Sequence, residues 1–374
     1  MIKKLNIIIP TRNPKNIERT LNKLFLSKLQ INKIIIIDDS TSSKENKKLK
    51  KSSLKYKKLI LVNKDLIKRI KIPTILGLRS WNLGNAKNIG ALFSLAISKD
   101  SLCMFLDDDI LLEESKKNIF FKKEIKKKRL IKIKLRGSPD LSRIEWIELY
   151  LKNRDKKIKL LNKYIEKIYS SLGNDSISLF SEYTEIQNRK VNYKSKKYQK
   201  FPQRRELSGG AFICDSSLFK KNMFANWFDE DWLWFFYAKK NKNVKRTSLP
   251  LIAYHLPKKK KILDLDRLKF EETGKILTNI LKKRLNKNIN NLIDIELKKR
   301  EKIISFILYN FQRIDHKNTF DRKIILHLQE INKWLKNYKR ELLISNILKY
   351  QKDKKDLFKN KEKYLKNIRS VLNE

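Results

Sequence analysis

Short apolar runs alternate with amphipathic segments over the first 110 residues of the chain. The runs of strand length occupy residues 5–9, 34–37, 59–62 and 102–106. Between them, apolar residues recur at helical spacing, as at positions 89, 92, 93 and 96. Because the short runs are continuously apolar rather than alternating, we expect strands that are buried on both faces. The pattern predicts an α/β fold in which a mostly parallel sheet is flanked by helices.

The rest of the chain is organised differently. Residues 113–205 are rich in lysine and helical in pattern, which predicts a helical insertion, and apolar strand signals return at 207–213 and 249–255. Four lysines follow Pro257, and the remainder of the chain contains a single glycine and no proline. We therefore expect one domain at 1–256, interrupted by the insertion, and a basic helical C-terminal region at 257–374.

Polar residues follow three of the predicted strands at the points where these strands end. They are Pro10, Thr11 and Arg12, then Asp38 and Asp39, and then Asp107, Asp108 and Asp109. The carboxyl ends of parallel strands form the edge of a sheet at which ligands bind. Five carboxylates at one edge repel each other unless a cation lies among them, so the pattern predicts a divalent metal site. For any one of these aspartates alone, a turn or helix cap is the alternative.

Four separated groups of residues resemble the motifs of family 2 glycosyltransferases, which have the Rossmann-like GT-A fold. They are NIIIPTRN with IIIIDDS (6–13 and 34–40), NLGNAKNIGALFSLA (82–96), FLDDD (105–109), and SGGAFI with FDEDW and His255 (208–213, 228–232 and 255). The resemblance covers about residues 1–256. It implies a metal-dependent enzyme that transfers a sugar from a nucleotide-diphosphate sugar to a hydroxyl acceptor in the synthesis of a polysaccharide, glycolipid or glycoconjugate.

The resemblance also implies roles for the residues on the donor side. The expected nucleotide-sugar ligands are Pro10, Thr11, Arg12, Asp38 or Asp39, Lys87, Asn88, Asp107 and Asp108. Asp107 and Asp109, with His255 as a third ligand, would hold Mn²⁺ or Mg²⁺; a structural role for His255 stays open. Lys87 stands where the family usually has arginine, so it keeps the positive charge and loses bidentate geometry.

On the acceptor side, the acidic run at residues 229–231 is the candidate for catalysis. An inverting transfer needs a carboxylate to take the proton of the attacking hydroxyl. By the family's spacing to His255, we predict Asp231 as this base and Glu230 as a ligand of the acceptor hydroxyl. A solvated acidic helix start is the alternative.

Four more residues around the acidic run are candidate acceptor ligands. Gly209 and Gly210 would let a sugar approach the backbone, and Trp227 and Trp232 could stack on it, although aromatic residues at this spacing also pack in cores.

The net charge of +49 changes this interpretation less than its size suggests. The 89 lysines and arginines against 40 aspartates and glutamates would suit a polyanionic partner. However, lysine is spread along the whole chain and accompanies abundant isoleucine and asparagine, which indicates genome composition. We find no zinc-ligand spacing, RNA-recognition signature or helix-turn-helix pattern, so a basic nucleic-acid-binding protein is disfavoured. For the basic region after residue 257, an anionic membrane surface and an acidic polymeric acceptor are two open partners.

The remaining features concern the cellular setting and the competing enzyme class. Cys103 and Cys214 each lie beside apolar residues, which predicts buried reduced thiols and a reducing compartment. The first ten residues are too short for a signal-peptide core and no apolar run reaches 18 residues, so we expect a cytoplasmic protein. A peripheral position at the inner face of the membrane is the open alternative. A nucleotidyltransferase on a related sheet is the alternative enzyme, since it needs the nucleotide edge and the metal aspartates but not the acidic run at 229–231.

Overall fold

The computed structural model describes most of the chain, with gaps. The described residues are 3–11, 17–38, 49–51, 56–71, 83–113, 119, 128–137, 141–163, 165–166, 210–240, 244–255, 263–283, 288–315 and 317–373. Within these ranges the side chains at 128, 134–137, 244–250 and 255 are not described. Three residues predicted to lie in the functional site, Arg12, Asp39 and Gly209, fall outside the described residues.

Eight strands of the described chain form one mixed sheet. They are β1 (Lys4–Thr11), β2 (Ile31–Asp38), β3 (Leu59–Val62), β4 (Ser101–Leu106), β5 (Ile110–Leu112), β6 (Lys128–Gly137), β7 (Ala211–Asp215) and β8 (Val244–His255), in the spatial order β3-β2-β1-β4-β7-β6-β8-β5. Six of them run in one direction, and β7 and β5 run opposite. The predicted α/β fold with a mostly parallel sheet is confirmed.

Helices cover both faces of this sheet. In the first part of the chain they are α1 (Ile17–Leu26), α2 (Lys64–Arg69), α3 (Leu83–Ile97), α4 (Arg143–Arg154) and α5 (Glu230–Lys240). Side chains alternate across a strand, so neighbouring residues of β1 enter different cores. Ile7 and Ile9 pack with α1 on one face, whereas Ile8 packs with α3 and α5 on the other. This two-sided burial explains why the strands are continuously apolar.

Within residues 113–205, the prediction of a helical insertion is wrong at 128–137. These residues form β6, which lies between β7 and β8 in the sheet. From position 131 to 136, apolar residues alternate with lysine or arginine, and Ile131 and Ile133 are buried. A period of two is a strand signal, which the high lysine content masked. The following helix, α4, does fit the predicted type and begins with a capping box formed by Ser142 and Glu145.

The chain from residue 265 onward is helical, as predicted. Four helices occupy it: α6 (Leu265–Lys282), α7 (Ile289–Gln312), α8 (Thr319–Lys336) and α9 (Arg340–Asn373). Their buried residues belong to the same hydrophobic core as those of α3 and α5. The boundary at residue 257 stays a prediction, but the helices beyond it are packed onto the body that carries the sheet.

Two further sequence expectations can be compared with the structure. Cys103 and Cys214 are free and buried, as predicted, and face each other in register across β4 and β7. No helix in the described part of the chain combines the length and the apolar character needed to span a membrane.

Candidate functional site

The carboxyl ends of three neighbouring parallel strands meet at one edge of the sheet. Thr11 at the end of β1 lies in register with Asp38 at the end of β2. The Thr11 hydroxyl donates a hydrogen bond of 2.9 Å to Oδ2 of Asp108, which follows β4. All three side chains are buried. The three strand ends that the sequence singled out therefore come together, because β1 is the strand shared by both parallel pairs.

A tight turn carries the three consecutive aspartates after β4. The backbone N–H of Ile110 donates to the carbonyl of Asp107 (3.0 Å), and the N–H of Asp107 donates to the carbonyl of Gly210 (2.9 Å). Asp107 and Asp109 are partly exposed, whereas Asp108 is buried against Thr11. The two aspartates assigned to a metal are thus the two that solvent reaches, and the carboxylate of Asp108 is engaged inside the protein.

His255 lies next to this turn at the level of the backbone. In the antiparallel pair β5 and β8, His255 is in register with Ile110, the residue that follows Asp109. Carboxylates are ligands that suit both Mn²⁺ and Mg²⁺, whereas an imidazole nitrogen fits the oxygen preference of Mg²⁺ poorly. Among the described side chains, which do not include that of His255, no three metal-binding groups are gathered. The carboxylates of Asp107 and Asp109 are therefore suitable metal ligands, and His255 lies beside them in the backbone register.

Lys87 on α3 connects the aspartate turn to the first turn of α5. Its side chain is 1% exposed, and its Nζ atom lies 3.0 Å from Oε1 of Glu230 and 4.0 Å from Oδ1 of Asp107. Burial lowers the pKa of this ammonium, but the carboxylates of Glu230, Asp107 and Asp231 outweigh burial and raise the pKa above its ordinary value. Lys87 is therefore a permanent cation that lies between two carboxylates of the site.

Glu230 and Asp231 form the first turn of α5, and both are buried. Oδ1 of Asp231 accepts a hydrogen bond of 2.8 Å from the backbone N–H of Trp232. The N-terminus of a helix stabilises carboxylates through its unpaired N–H groups and its dipole. The sequence indicated this acidic helix start, but it gave no sign that Glu230 pairs with Lys87.

Asp229, to which the sequence assigned no role, is the third acidic residue here. Its φ angle is 67°, in the left-handed region that only a few per cent of non-glycine residues adopt. Its pKa is raised to about 7, mainly by burial; Lys275 and Lys282 lower the pKa, and nearby Asp231 and Glu145 contribute to raising it. A carboxyl group with a pKa near neutrality therefore lies directly before Glu230.

Other predicted ligands lie in different surroundings. Asn88 is buried, donates from Nδ2 to the carbonyl of Phe224 (3.0 Å) and accepts at Oδ1 from the Phe224 N–H (2.9 Å). Trp227 is 8% exposed and donates from Nε1 to the Thr278 hydroxyl (3.1 Å). The side chain of Asn88 binds the backbone of Phe224, and Trp227 belongs to the hydrophobic core. The nucleotide-sugar role of Asn88 and the acceptor role of Trp227 stay predictions.

Two of the predicted acceptor ligands remain well placed. Trp232 is partly exposed at the start of α5. Gly210 lies against the aspartate turn, since a Cβ atom on it would be 3.4 Å from Oδ2 of Asp107. Both residues are partly exposed to solvent.

Comparisons with known proteins give distant similarities of structure. No protein-family profile matches the chain, and no curated protein matches it in sequence. The structure is similar to a mannosyltransferase from Pyrobaculum calidifontis in complex with GDP-Man and Mn²⁺ (9% identity, TM-score 0.42, 95% of this chain and 86% of that chain covered). It is also similar to glucosyl-3-phosphoglycerate synthase from Mycobacterium tuberculosis in complex with Mn²⁺, UDP and phosphoglyceric acid (12%, 0.42, 76% and 80%).

A third similarity is to GalNAc-T7 with UDP, GalNAc and Mn²⁺ (12% identity, TM-score 0.40, 85% of this chain and 59% of that chain covered). None of these similarities gives a residue of this chain a role.

Proposed function

We propose that this protein is a metal-dependent glycosyltransferase that moves a sugar from a nucleotide-diphosphate sugar to a hydroxyl acceptor. The observation that carries the proposal is the contact of one buried ammonium, Lys87, with carboxylates from two separate motifs. Asp107 follows a parallel strand at the ligand-binding edge, and Glu230 begins the helix after β7. A nucleotidyltransferase needs the first motif only, whereas glycosyl transfer needs a donor site and an acceptor base next to each other.

The donor would bind at the edge formed by Thr11, Asp38 and the aspartate turn. Asp38 would accept hydrogen bonds from the nucleoside at the end of β2, where Thr11 holds the adjacent strand end through Asp108. Asp107, Asp109 and His255 would hold Mn²⁺ or Mg²⁺. A cation bound there would neutralise the diphosphate that leaves with the nucleotide. The buried ammonium of Lys87 lies behind Asp107, at 4.0 Å from its Oδ1 atom.

The acceptor would bind on the side of α5. In an inverting transfer, Asp231 takes the proton of the acceptor hydroxyl while the hydroxyl oxygen attacks the anomeric carbon of the donor sugar. The nucleoside diphosphate leaves from the opposite face of that carbon. Glu230 would orient that hydroxyl, and its ion pair with Lys87 fixes its position relative to Asp107. Trp232 would offer an aromatic surface to the sugar.

A thermal-shift panel of nucleotide-diphosphate sugars, measured with Mn²⁺, with Mg²⁺ and without metal, tests the proposal. We expect one class of donor to raise the Tm only when metal is present, since ligand at about 100 times its Kd stabilises by ~2.7 kcal/mol. Asp107→Asn and Asp109→Asn should lose this rise, and Asp315→Asn, an exposed residue outside the site, should keep it. No metal-dependent rise with any donor would contradict the proposal.

The transfer step needs a separate assay on the donor that this panel identifies. Asp231→Asn should keep the Tm rise and lose the transfer of the sugar to a hydroxyl acceptor, measured as acceptor-dependent release of nucleoside diphosphate. Product NMR then distinguishes an inverted from a retained anomer, and retention would remove the base role of Asp231. Release of pyrophosphate from a nucleoside triphosphate and a sugar phosphate would identify a nucleotidyltransferase instead.

We also propose that the protein is peripheral at an anionic membrane, bound through α9. Six exposed lysines recur every three or four residues on this helix, namely Lys349, Lys352, Lys355, Lys359, Lys363 and Lys366. This lysine stripe lies opposite the buried face that contains Ile347, Leu357 and Ile368. Each lysine near an anionic membrane surface contributes about 1 kcal/mol to the free energy of membrane binding.

A further inference from the structure

The residues that lead into the acidic start of α5 are held by side chains from distant parts of the chain. We call residues 223–229 the lead-in segment. At its beginning, the hydroxyl of Tyr350 on α9 donates to the carbonyl of Met223 (3.1 Å). The backbone N–H and carbonyl of the next residue, Phe224, both bond to the side-chain amide of Asn88 on α3. Asn88 is adjacent to Lys87, so α3 contacts both ends of the stretch from Phe224 to Glu230.

The end of the lead-in segment lies directly on α6. A Cβ atom on Gly274 would be 2.5 Å from the carbonyl oxygen of Phe228, 2.7 Å from its Cβ atom and 2.8 Å from its backbone nitrogen. Real Cβ atoms do not approach backbone atoms this closely, so only glycine fits here. Phe228 directly precedes Asp229, whose left-handed φ angle turns the chain into α5.

This close approach explains a glycine that is otherwise unfavourable. Gly274 lies in the middle of the 18-residue helix α6, where glycine costs about 0.5–1 kcal/mol relative to alanine. It is also the single glycine after residue 257. Neighbouring contacts also hold the lead-in segment on α6 and α9. Trp227 donates a hydrogen bond to Thr278, one turn further along α6, and its ring packs edge-on against Tyr350 on α9 at 5.2 Å.

The geometry points to Gly274 as a positioning residue for Glu230 and Asp231, and to α6 and α9 as part of the catalytic apparatus. This inference rests on the proposed function. A side chain at 274 pushes the backbone of Phe228 away from α6, and the displacement passes through Asp229 to the two carboxylates. The 3.0 Å contact between Glu230 and Lys87 limits how far they can move before the site loses its shape.

Gly274→Ala tests the inference on the full chain, with Asp266→Ala, an exposed change in the same helix, as the matched control. We expect Gly274→Ala to lower kcat by roughly ten- to hundredfold, because misplacement by about an ångström costs that much. The KM for the donor should stay within about twofold and the metal-dependent Tm rise should persist, since the clash at Gly274 is with Phe228 and the donor is proposed to bind at the strand ends. A kcat within twofold of the parent protein overturns the inference.

Hydrogen–deuterium exchange of peptides covering residues 223–235 separates this inference from the proposed function, because it needs no substrate. Gly274→Ala should speed exchange in these peptides and not in peptides of β1 or β2. If exchange is unchanged, Gly274 does not position the lead-in segment, whatever the activity of the enzyme. If the parent protein is inactive with every donor while exchange responds as expected, the proposed function is wrong, but the positioning of the lead-in segment by Gly274 stands.

A pair of variants at Thr278 keeps the test valid if Gly274→Ala does not fold. Thr278→Val removes the hydroxyl that accepts from Trp227 and keeps the shape, whereas Thr278→Ser keeps the hydroxyl. We expect Thr278→Val to lower kcat severalfold at unchanged donor KM, and Thr278→Ser to restore it. Equal kcat in both variants contradicts the inference, since a purely structural contribution would change the Tm and leave kcat per folded molecule unaltered.

Discussion

The ammonium of Lys87 and the carboxylate of Glu230 form a buried ion pair with a 3.0 Å contact, although 143 positions separate the two residues. The pair joins α3 to the first turn of α5. Asp107 approaches the same ammonium at 4.0 Å, so the cation holds together the two halves of the candidate site. A buried pair of this kind is costly to break from one side, because the remaining charge stays buried without its partner.

The first prediction follows from this pair. Lys87→Met should lower the free energy of unfolding by about 3–5 kcal/mol, since it leaves Glu230 and Asp107 without their cation. Urea denaturation of Lys87→Met, Glu230→Gln and the double variant checks this. We expect the double variant to be clearly more stable than the sum of the single losses implies, by about 1 kcal/mol or more. Additive losses would show that the two residues do not interact.

The second prediction concerns the pH dependence of stability at Asp229, whose pKa is raised from 3.8 to about 7. Between these values the folded protein keeps the proton and the unfolded chain releases it. Stability therefore falls as the pH rises from about 4 to about 7, and the loss is complete above 7. Asp229→Asn cannot ionise, so it should be about 1–2 kcal/mol more stable than the parent protein at pH 8, allowing for partial solvent exposure.

Urea denaturation at pH 4 and pH 8 measures this difference. At pH 4 the two proteins should be close in stability, because the carboxyl is then protonated in the folded state and the pH is only just above the unfolded pKa of 3.8, so little stability has been lost. Asp315→Asn, at an exposed position, serves as the control and should change little at either pH. An equal effect of Asp229→Asn at both pH values would rule out a raised pKa.

The third prediction concerns the two cysteines. Burial raises the pKa of Cys103 to about 12 and raises that of Cys214 well above its ordinary value, so neither forms the thiolate that reacts with disulfide reagents. We expect no labelling of the folded protein at pH 8 and two labelled thiols per chain in denaturant. The labelling rate at intermediate urea should follow unfolding measured by Trp fluorescence. Rapid labelling without denaturant would mean that the sheet opens locally between β4 and β7.

The fourth prediction tests the proposed membrane contact of α9. Binding to vesicles that contain phosphatidylserine should weaken when Lys355, Lys359 and Lys363 are changed to Gln, and it should weaken with added salt. The control changes three exposed lysines elsewhere, Lys51, Lys57 and Lys58, to Gln. If both triple variants lose the same affinity, general charge and not the lysine stripe attracts the protein. Equal binding to neutral vesicles would also contradict the proposal.

The strand ends were predictable from the sequence because their signal is local. A continuous apolar run followed by a polar residue identifies a buried parallel strand and the edge where it stops, and Thr11, Asp38 and Asp107 were found in this way. β6 was missed because lysine content outweighed its period of two. The core position of Trp227 was not decidable either, since an aromatic residue beside an acidic run suits a core and a sugar platform equally.

The sequence by itself determined the α/β class, the helical type of the C-terminal region and the acidic residues worth testing. Hydrophobic periodicity and the polar residues that follow a strand are both patterns of residues close together in the sequence, so they can be recognised without the structure. Only the tertiary structure decided which distant groups meet. It paired Lys87 with Glu230, brought His255 into register with the residue after Asp109, and set Phe228 on Gly274. These relationships depend on strand order and on how closely two helices approach, and no local pattern encodes either quantity.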